Sequence, residues 1–246
     1  MEILRKDSRK FDELRPIKIT RNVNKYALGS ALCEMGDTKV LCCVSVEEKV
    51  PLFLRNTGTG WLTAEYGMIP LSCPERIIRT SFSSGRNMEI QRLIGRALRS
   101  VVYLKNLGER TLWIDCDVIQ ADGGTRTTAI NGAFIALADA LSALNKKKVL
   151  TLPVLKSHLA AVSVGIINRE HYLDLAYNED SMAQVDFNVV MNGKGEFVEI
   201  QGAAEGICFS KGQLDKIIAL ASKGIDELIN IQKETLKDEI KNLLGK

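Results

Sequence analysis

Gly123-Gly124-Thr125-Arg126-Thr127 is where this chain first offers chemistry. The stretch joins a strand-like run, residues 112–119, to a long apolar-periodic run, residues 129–144. Two glycines let the backbone turn tightly and approach a ligand closely. The amides that open a helix have no partner inside it, and with the helix dipole they form a seat for a phosphate-like anion. Arg126 adds a planar cationic fork and Thr125 a hydroxyl donor. Taken bare, Gly-Gly-Thr is an ordinary loop with a Thr N-cap. A separate acidic pair further along the chain argues for more.

That pair is Asp180 and Asp186. Glu179-Asp180-Ser181 follows one strand-like run and Asp186 enters the next. Across so short a connection, two carboxylates can converge on one divalent cation. Mg²⁺ is typically held by one or two carboxylates, with water and substrate phosphates completing its shell. Such an ion offsets charge developing on a phosphoryl group. On spacing alone the simpler reading is that Asp180 starts a turn and Asp186 faces solvent. Arg86 follows Ser83-Ser84-Gly85 and opens a helix, where the dipole mildly disfavours a cation. That placement points to an anion, which Arg86 and Arg126 together would clamp.

The elements that must position these groups can be read from periodicity. Residues 16–21, 29–35 and 38–46 read as strands, the last two joined by a Gly36-Asp37 hairpin turn. Residues 62–69 read as a fourth strand and residues 70–85 as an irregular loop. Ile90, Leu93, Ile94, Ala97, Leu98, Val101 and Val102 recur at helical spacing. The other side of that helix carries Arg92, Arg96 and Arg99, either a solvated face or a contact for a polyanion or subunit. In the second half, residues 159–167, 172–177, 185–191 and 197–201 read as strands. Ser210 caps a last helix running towards Leu244, with a break expected near Lys223-Gly224. Strand groups followed by helices, twice over, predict an α+β fold with helices packed on sheets. No linker or low-complexity segment interrupts the chain, so residues 1–246 are expected to form one domain.

Composition narrows the function classes. The 246 residues are 46% hydrophobic and 26% charged, with a net charge of +3. This balance suits a globular protein and makes any electrostatic footprint local. The six cysteines form no C-x-x-C pair, so neither a zinc site nor a disulfide framework is expected, and a reduced, cytoplasmic setting is. No secretory signal is visible and no apolar run reads as long enough to span a membrane. There are only two histidines, His158 and His171, and neither lies beside a nucleophile motif. The chemistry is therefore expected to come from positioning, metal and electrostatics.

Four linked motifs carry a resemblance: Ala64-Glu65-Tyr66-Gly67-Met68-Ile69-Pro70, the run from Gly85-Arg86-Asn87 to Arg96, the run from Asp115 through Asp122-Gly123-Gly124-Thr125-Arg126-Thr127, and Glu179-Asp180-Ser181-x-Ala183-x-x-Asp186. They resemble the bacterial RNase PH family of phosphate-dependent 3′→5′ exoribonucleases. The match runs from Arg5-Lys6-Asp7 through Leu14-Arg15-Pro16 to the last helix. The resemblance implies the RNase PH-type fold and tRNA nucleotidyltransferase activity: trimming of tRNA 3′ ends, with rRNA as a second candidate substrate. It implies that Arg86, Gly124, Thr125 and Arg126 bind inorganic phosphate, the attacking co-substrate. It implies that Asp180 and Asp186 are the catalytic residues and hold Mg²⁺, or Mn²⁺, with Asp186 also assisting proton transfer. It implies tRNA precursors and other RNA 3′ ends as partners, no membrane, and a homo-hexamer built as a trimer of dimers. Together with the basic helix face it makes Arg76, Arg79, Arg92 and Arg99 the expected RNA contacts.

The chain departs from the family pattern in one loop. Leu71 stands where Arg is usual, Asn87 replaces Thr, and the segment before Gly85 is shorter and lacks its lysines. Fewer cations mean fewer phosphate contacts, so weaker and strongly salt-dependent RNA binding is expected. Two other readings compete: an RNA-binding ring subunit without activity, and a hydrolytic nuclease. The intact acidic pair argues against the first. The anion seat argues against the second, since water needs none.

Overall fold

Alternation of buried and open side chains builds the first sheet. In the computed structural model, which describes residues 5, 7–78 and 85–245, five strands form it. They are β1 (Ile17–Arg21), β2 (Gly29–Met35), β3 (Thr38–Glu47), β4 (Trp61–Met68) and β5 (Thr111–Gln120), in the order β1-β2-β3-β5-β4. Only β4 and β5 pair in parallel. The β2–β3 hairpin closes at Gly36-Asp37 with Met35 opposite Thr38. Along β3, Thr38, Val40, Cys42 and Val44 are buried while the residues between them are not. One face of the sheet is therefore committed to the core.

The second sheet comprises β6 (Leu159–Ile167), β7 (Glu170–Leu173), β8 (Val185–Asn192) and β9 (Phe197–Ala204), ordered β7-β6-β8-β9 and antiparallel throughout. Among the described residues the α-helices are α1 (Gly85–Ser100), α2 (Leu104–Leu107), α3 (Thr125–Lys146), the single turn α4 (Tyr177–Asp180) and α5 (Lys211–Leu236). Helix α1 buries Ile90, Leu93, Ile94, Ala97 and Leu98 against the first sheet. Helix α5 lays Ile217, Ala221, Ile225, Leu228 and Ile229 on the second. Ser210 and Gln213 form a reciprocal capping box at its start.

Helix α3 lies between the sheets and packs on β2 and β3 on one side and β6 on the other. It is buried nearly all round, which is why its sequence is apolar on every face. Gly132 lets it come close to the first sheet, since a Cβ there would lie 2.8 Å from Cys33 Cβ and 2.9 Å from Cys42 Sγ. By length and composition this helix could cross a membrane, contrary to the sequence expectation. In the folded chain its apolar faces are taken up by the two sheets instead.

The elements depart from expectation where polar or distant residues set the boundary. Helix α3 begins at Thr125, one turn before its apolar pattern does, so Thr125 and Arg126 belong to the helix itself. The strand expected over residues 172–177 stops at Leu173, because buried Asp174 turns with φ 54° and ties to Arg15 in the N-terminal segment. Helix α5 runs unbroken through Gly224, which packs on Leu173. It ends at Leu236 rather than near Leu244. Lys237 turns with φ 46°, and Ile240 and Leu243 then fold back into the hydrophobic core that α1 and α3 form with the first sheet.

The cysteines remain unbridged, and burial pushes the Cys33 thiol up to about 12, so it behaves as a small hydrophobe. His158 is buried beside Phe134, and burial followed by the charge of Lys233 lowers it to about 4. A histidine depressed in the folded state contributes stability that is fully present above its unfolded value and lost on acidification. Unfolding midpoints should therefore drop as pH falls from about 6.5 to about 4. His158→Phe should flatten that part of the profile; an unchanged slope would assign the acid loss to other groups.

Candidate active site

The glycine loop is shaped by residues far from it in sequence. Gly123 and Gly124 have φ of 73° and 62°, the left-handed region that favours glycine. A Cβ on Gly123 would lie 2.5 Å from the Leu175 carbonyl oxygen. The carbonyl of Gly123 accepts from Thr38 Oγ1 at 2.6 Å, and the Asp122 amide donates to the same hydroxyl at 2.9 Å. Gly124 is the N-cap of α3 and offers no side-chain cap, leaving the first helical amides open for an anion. Two threonine hydroxyls, Thr127 and Thr128, both donate to the Gly124 carbonyl at 2.9 Å and close the turn from behind.

The loop forms one wall of a cavity of about 540 Å³. Arg86, Gly124, Thr125, Arg126, Asp180 and Asp186 all line it. They come from the first turn of α1, the start of α3, the end of α4 and strand β8. Arg86 is open to solvent at the cavity edge. Arg126 is more enclosed; its Nη1 donates to Gln201 Oε1 at 3.2 Å and lies 3.9 Å from Glu89 Oε1. Gln201 in turn donates to Glu89 at 3.4 Å, so β9 and α1 both orient this arginine.

On the opposite wall, Asp186 lies in β8 between Gly165 of β6 and Ala203 of β9, so sheet hydrogen bonding sets its backbone. Asp180 ends α4 and is open to the cavity. Desolvation in this recess, then the charge of Asp186, pushes the Asp180 carboxyl up, while Arg126, Arg86 and Arg15 pull it down. Two carboxylates that repel each other in a recess offer oxygen ligands of the kind a hard divalent cation takes. Among the described residues no cluster of three or more His, Cys, Asp or Glu side chains forms a metal cage. A cation here would draw its remaining ligands from water and phosphate oxygens.

The sequence motifs did not disclose what holds the two walls together. Arg15 forms a forked pair with Asp174, at 3.0 Å from Nε and 2.8 Å from Nη2, and its backbone amide adds a third bond at 2.8 Å. The same guanidinium reaches the glycine loop, donating to the Asp122 carbonyl at 2.5 Å. Arg5 grips Glu179, with Nε at 2.6 Å, and donates to the Leu173 carbonyl at 2.6 Å. Glu179 accepts from the Ala176 amide at 2.9 Å, fixing the turn that presents Asp180. The N-terminal segment thus ties the glycine loop to the carboxylate turn. The available signal was Arg5, Arg9 and Arg15 clustered in one short segment.

Of the arginines expected to contact RNA, the described Arg76, Arg92 and Arg99 do not line the cavity. Arg76 is exposed in the loop after β4, and Arg92 is exposed on α1. Arg79 lies outside the described residues. Arg99 is half-buried, stacked over Trp61 at 4.5 Å and donating to the Leu62 carbonyl at 2.9 Å, so it serves packing. Arg96 pairs in a fork with Glu199 of β9, with Nε at 2.7 Å.

Known proteins share both sequence and shape with this chain. The first domain of the 3′ exoribonuclease family matches residues 13–142, and the second domain of that family matches residues 159–224. Rice (Oryza sativa) Rrp46 superposes with a TM-score of 0.77 at 20% identity, covering 95% of this chain and 100% of that one. An archaeal exosome core gives 0.76 at 21% identity over 94% of this chain and 91% of that one. The Archaeoglobus fulgidus exosome with RNA bound to the active site gives 0.77 at 22% identity, covering 95% and 93%. At these identities the likeness establishes the RNase PH-type α+β fold, and the sequence matches establish more: the chain belongs to the 3′ exoribonuclease family that includes RNase PH.

Proposed function

We propose that this protein is a phosphorolytic 3′→5′ exoribonuclease of the RNase PH type that trims tRNA precursors. The supporting observation is one cavity lined by an open helix N-terminus, two arginines and two carboxylates. In this reading Gly124, Thr125, Arg126 and Arg86 bind inorganic phosphate and aim it at the last phosphodiester of an RNA 3′ end. A phosphate oxygen attacks that phosphorus, and the bond to the 3′ oxygen of the preceding nucleotide breaks. The released 3′ oxygen takes up a proton, and the last nucleotide leaves as a nucleoside diphosphate. Asp180 and Asp186 would hold Mg²⁺ or Mn²⁺, which would supply Lewis-acid stabilisation of developing phosphoryl charge. The protein's own contribution is alignment and fixed positive charge, so no side-chain nucleophile is required.

The similar structures include an archaeal exosome core and an exosome with RNA bound to the active site. By extension the reading includes a ring made of copies of this chain, a trimer of dimers, acting in the cytoplasm. The test is a tRNA precursor with a short 3′ trailer, incubated with protein and Mg²⁺, with and without phosphate. Nucleoside diphosphates formed only with phosphate are the expected result. Monophosphates formed without it would move the site to hydrolysis, and binding without turnover would leave an inactive subunit.

The carboxylate pair gives this reading a second handle. Asp180 is raised in the folded state, so at neutral pH its charge opposes folding of the metal-free protein. Its favourable contribution is fully present below the unfolded value and lost as pH rises through the folded one. Asp180→Asn should leave the metal-free midpoint equal or higher at pH 7, and should abolish the rise that millimolar Mg²⁺ produces in the wild type. A Mg²⁺ shift of equal size in both proteins would place the ion elsewhere.

A further inference from the structure

We infer that Tyr66 is a positioning residue for phosphate, acting through the hydroxyl of Thr125. The inference rests on the phosphorolytic reading above. Tyr66 lies on β4, is 2% exposed, and its Oη donates to Thr125 Oγ1 at 2.8 Å. A hydroxyl carries one hydrogen and two acceptor positions. The other two threonine hydroxyls of the first α3 turn have committed their hydrogens to the Gly124 carbonyl. Thr125 differs: it accepts from Tyr66 and lines the cavity, so its own hydrogen remains for an anion there.

The geometry forms a one-way chain from Tyr66 O–H to Thr125 O–H to a phosphate oxygen. Hydrogen bonds in such a chain polarise one another, and the terminal bond to an anion is charge-assisted. Tyr66 is placed rigidly for this. Its backbone pairs with Cys116 of β5, and its carbonyl accepts from Gln91 Nε2 at 3.4 Å. Burial raises the phenol above its ordinary value, against the lowering effects of the Thr125 bond and of Arg86 and Arg126. It therefore remains a proton donor at neutral pH. Without Tyr66 the Thr125 hydroxyl is free to rotate, and phosphate binding must fix it.

The experiment is a double-mutant cycle of Tyr66→Phe and Thr125→Val on phosphate-dependent diphosphate release. Tyr66→Phe should raise KM for phosphate roughly fivefold, the scale of one hydrogen bond, while KM for RNA and the thermal midpoint stay put. In the Thr125→Val background the same change should have little effect, because the group it acts through is gone. An unchanged phosphate KM in Tyr66→Phe overturns the inference, as does a full-sized effect persisting without the Thr125 hydroxyl. A parallel rise in both KM values with a lower midpoint also overturns it, since that is loss of packing. If the wild type shows no phosphate-dependent turnover, the phosphorolytic reading fails. Calorimetric titration of the four proteins with inorganic phosphate then decides the Tyr66–Thr125 coupling separately.

Discussion

Asp186→Asn should lower phosphate-dependent diphosphate release by on the order of 10³-fold while the protein stays folded. The substitution keeps the side chain's size and leaves the backbone pairing of residue 186 with Gly165 and Ala203 untouched. It removes one of the two carboxylate charges that share the cavity with the glycine loop. It also relieves the repulsion that helps push Asp180 up, so Asp180 should ionise at lower pH in the variant. The midpoint of the metal-free variant should therefore equal that of the wild type or exceed it. Initial rates on a tRNA precursor at saturating phosphate, paired with thermal unfolding, measure both quantities. Turnover within tenfold of the wild type would remove Asp186 from the catalytic machinery.

Asp174→Asn should cost far more stability than any change at the cavity carboxylates, about 3–5 kcal/mol. Asp174 is 0% exposed and faces Arg15, with Arg9 Nη1 a further 3.7 Å away. Removing its charge leaves the buried Arg15 guanidinium without its closest carboxylate, with only Asp122 at 4.0 Å as a second ion-pair partner. Asn tolerates the left-handed backbone at this position, so the change isolates charge from conformation. A loss of that size in a chain of this length lowers the midpoint by on the order of 10 °C. The site should suffer as well, because Arg15 also holds the Asp122 carbonyl at the entrance to the glycine loop. KM for phosphate should rise even below the new midpoint. A midpoint within about 2 °C of the wild type would show that water replaces the carboxylate at little cost.

These two residues differ in how far the sequence reveals them. Asp186 stands in a motif together with Asp180, and its alternating strand context marks which face it joins. Asp174 has no local signature; it read as part of a strand. Its partners Arg9 and Arg15 stand near the other end of the chain, and no window of local pattern contains both sides of the pair.

The same division runs through the molecule. By itself, the sequence determined the strands and helices with strong periodicity, the Gly36-Asp37 hairpin, the capping of the last helix by Ser210 and the tight glycine turn that opens helix α3. Each depends on residues a few positions apart, where backbone geometry converts pattern into structure. The tertiary structure decided that Arg86, Gly124, Thr125, Arg126, Asp180 and Asp186 share one cavity. It also decided that Arg99 stacks on Trp61 and that Arg96 pairs with Glu199. In sequence those arginines form a single basic stripe with Arg92. Whether a charged side chain is free, stacked or paired depends on which distant surface folds against it, because desolvation and ion pairing act through space and leave no local periodicity to read.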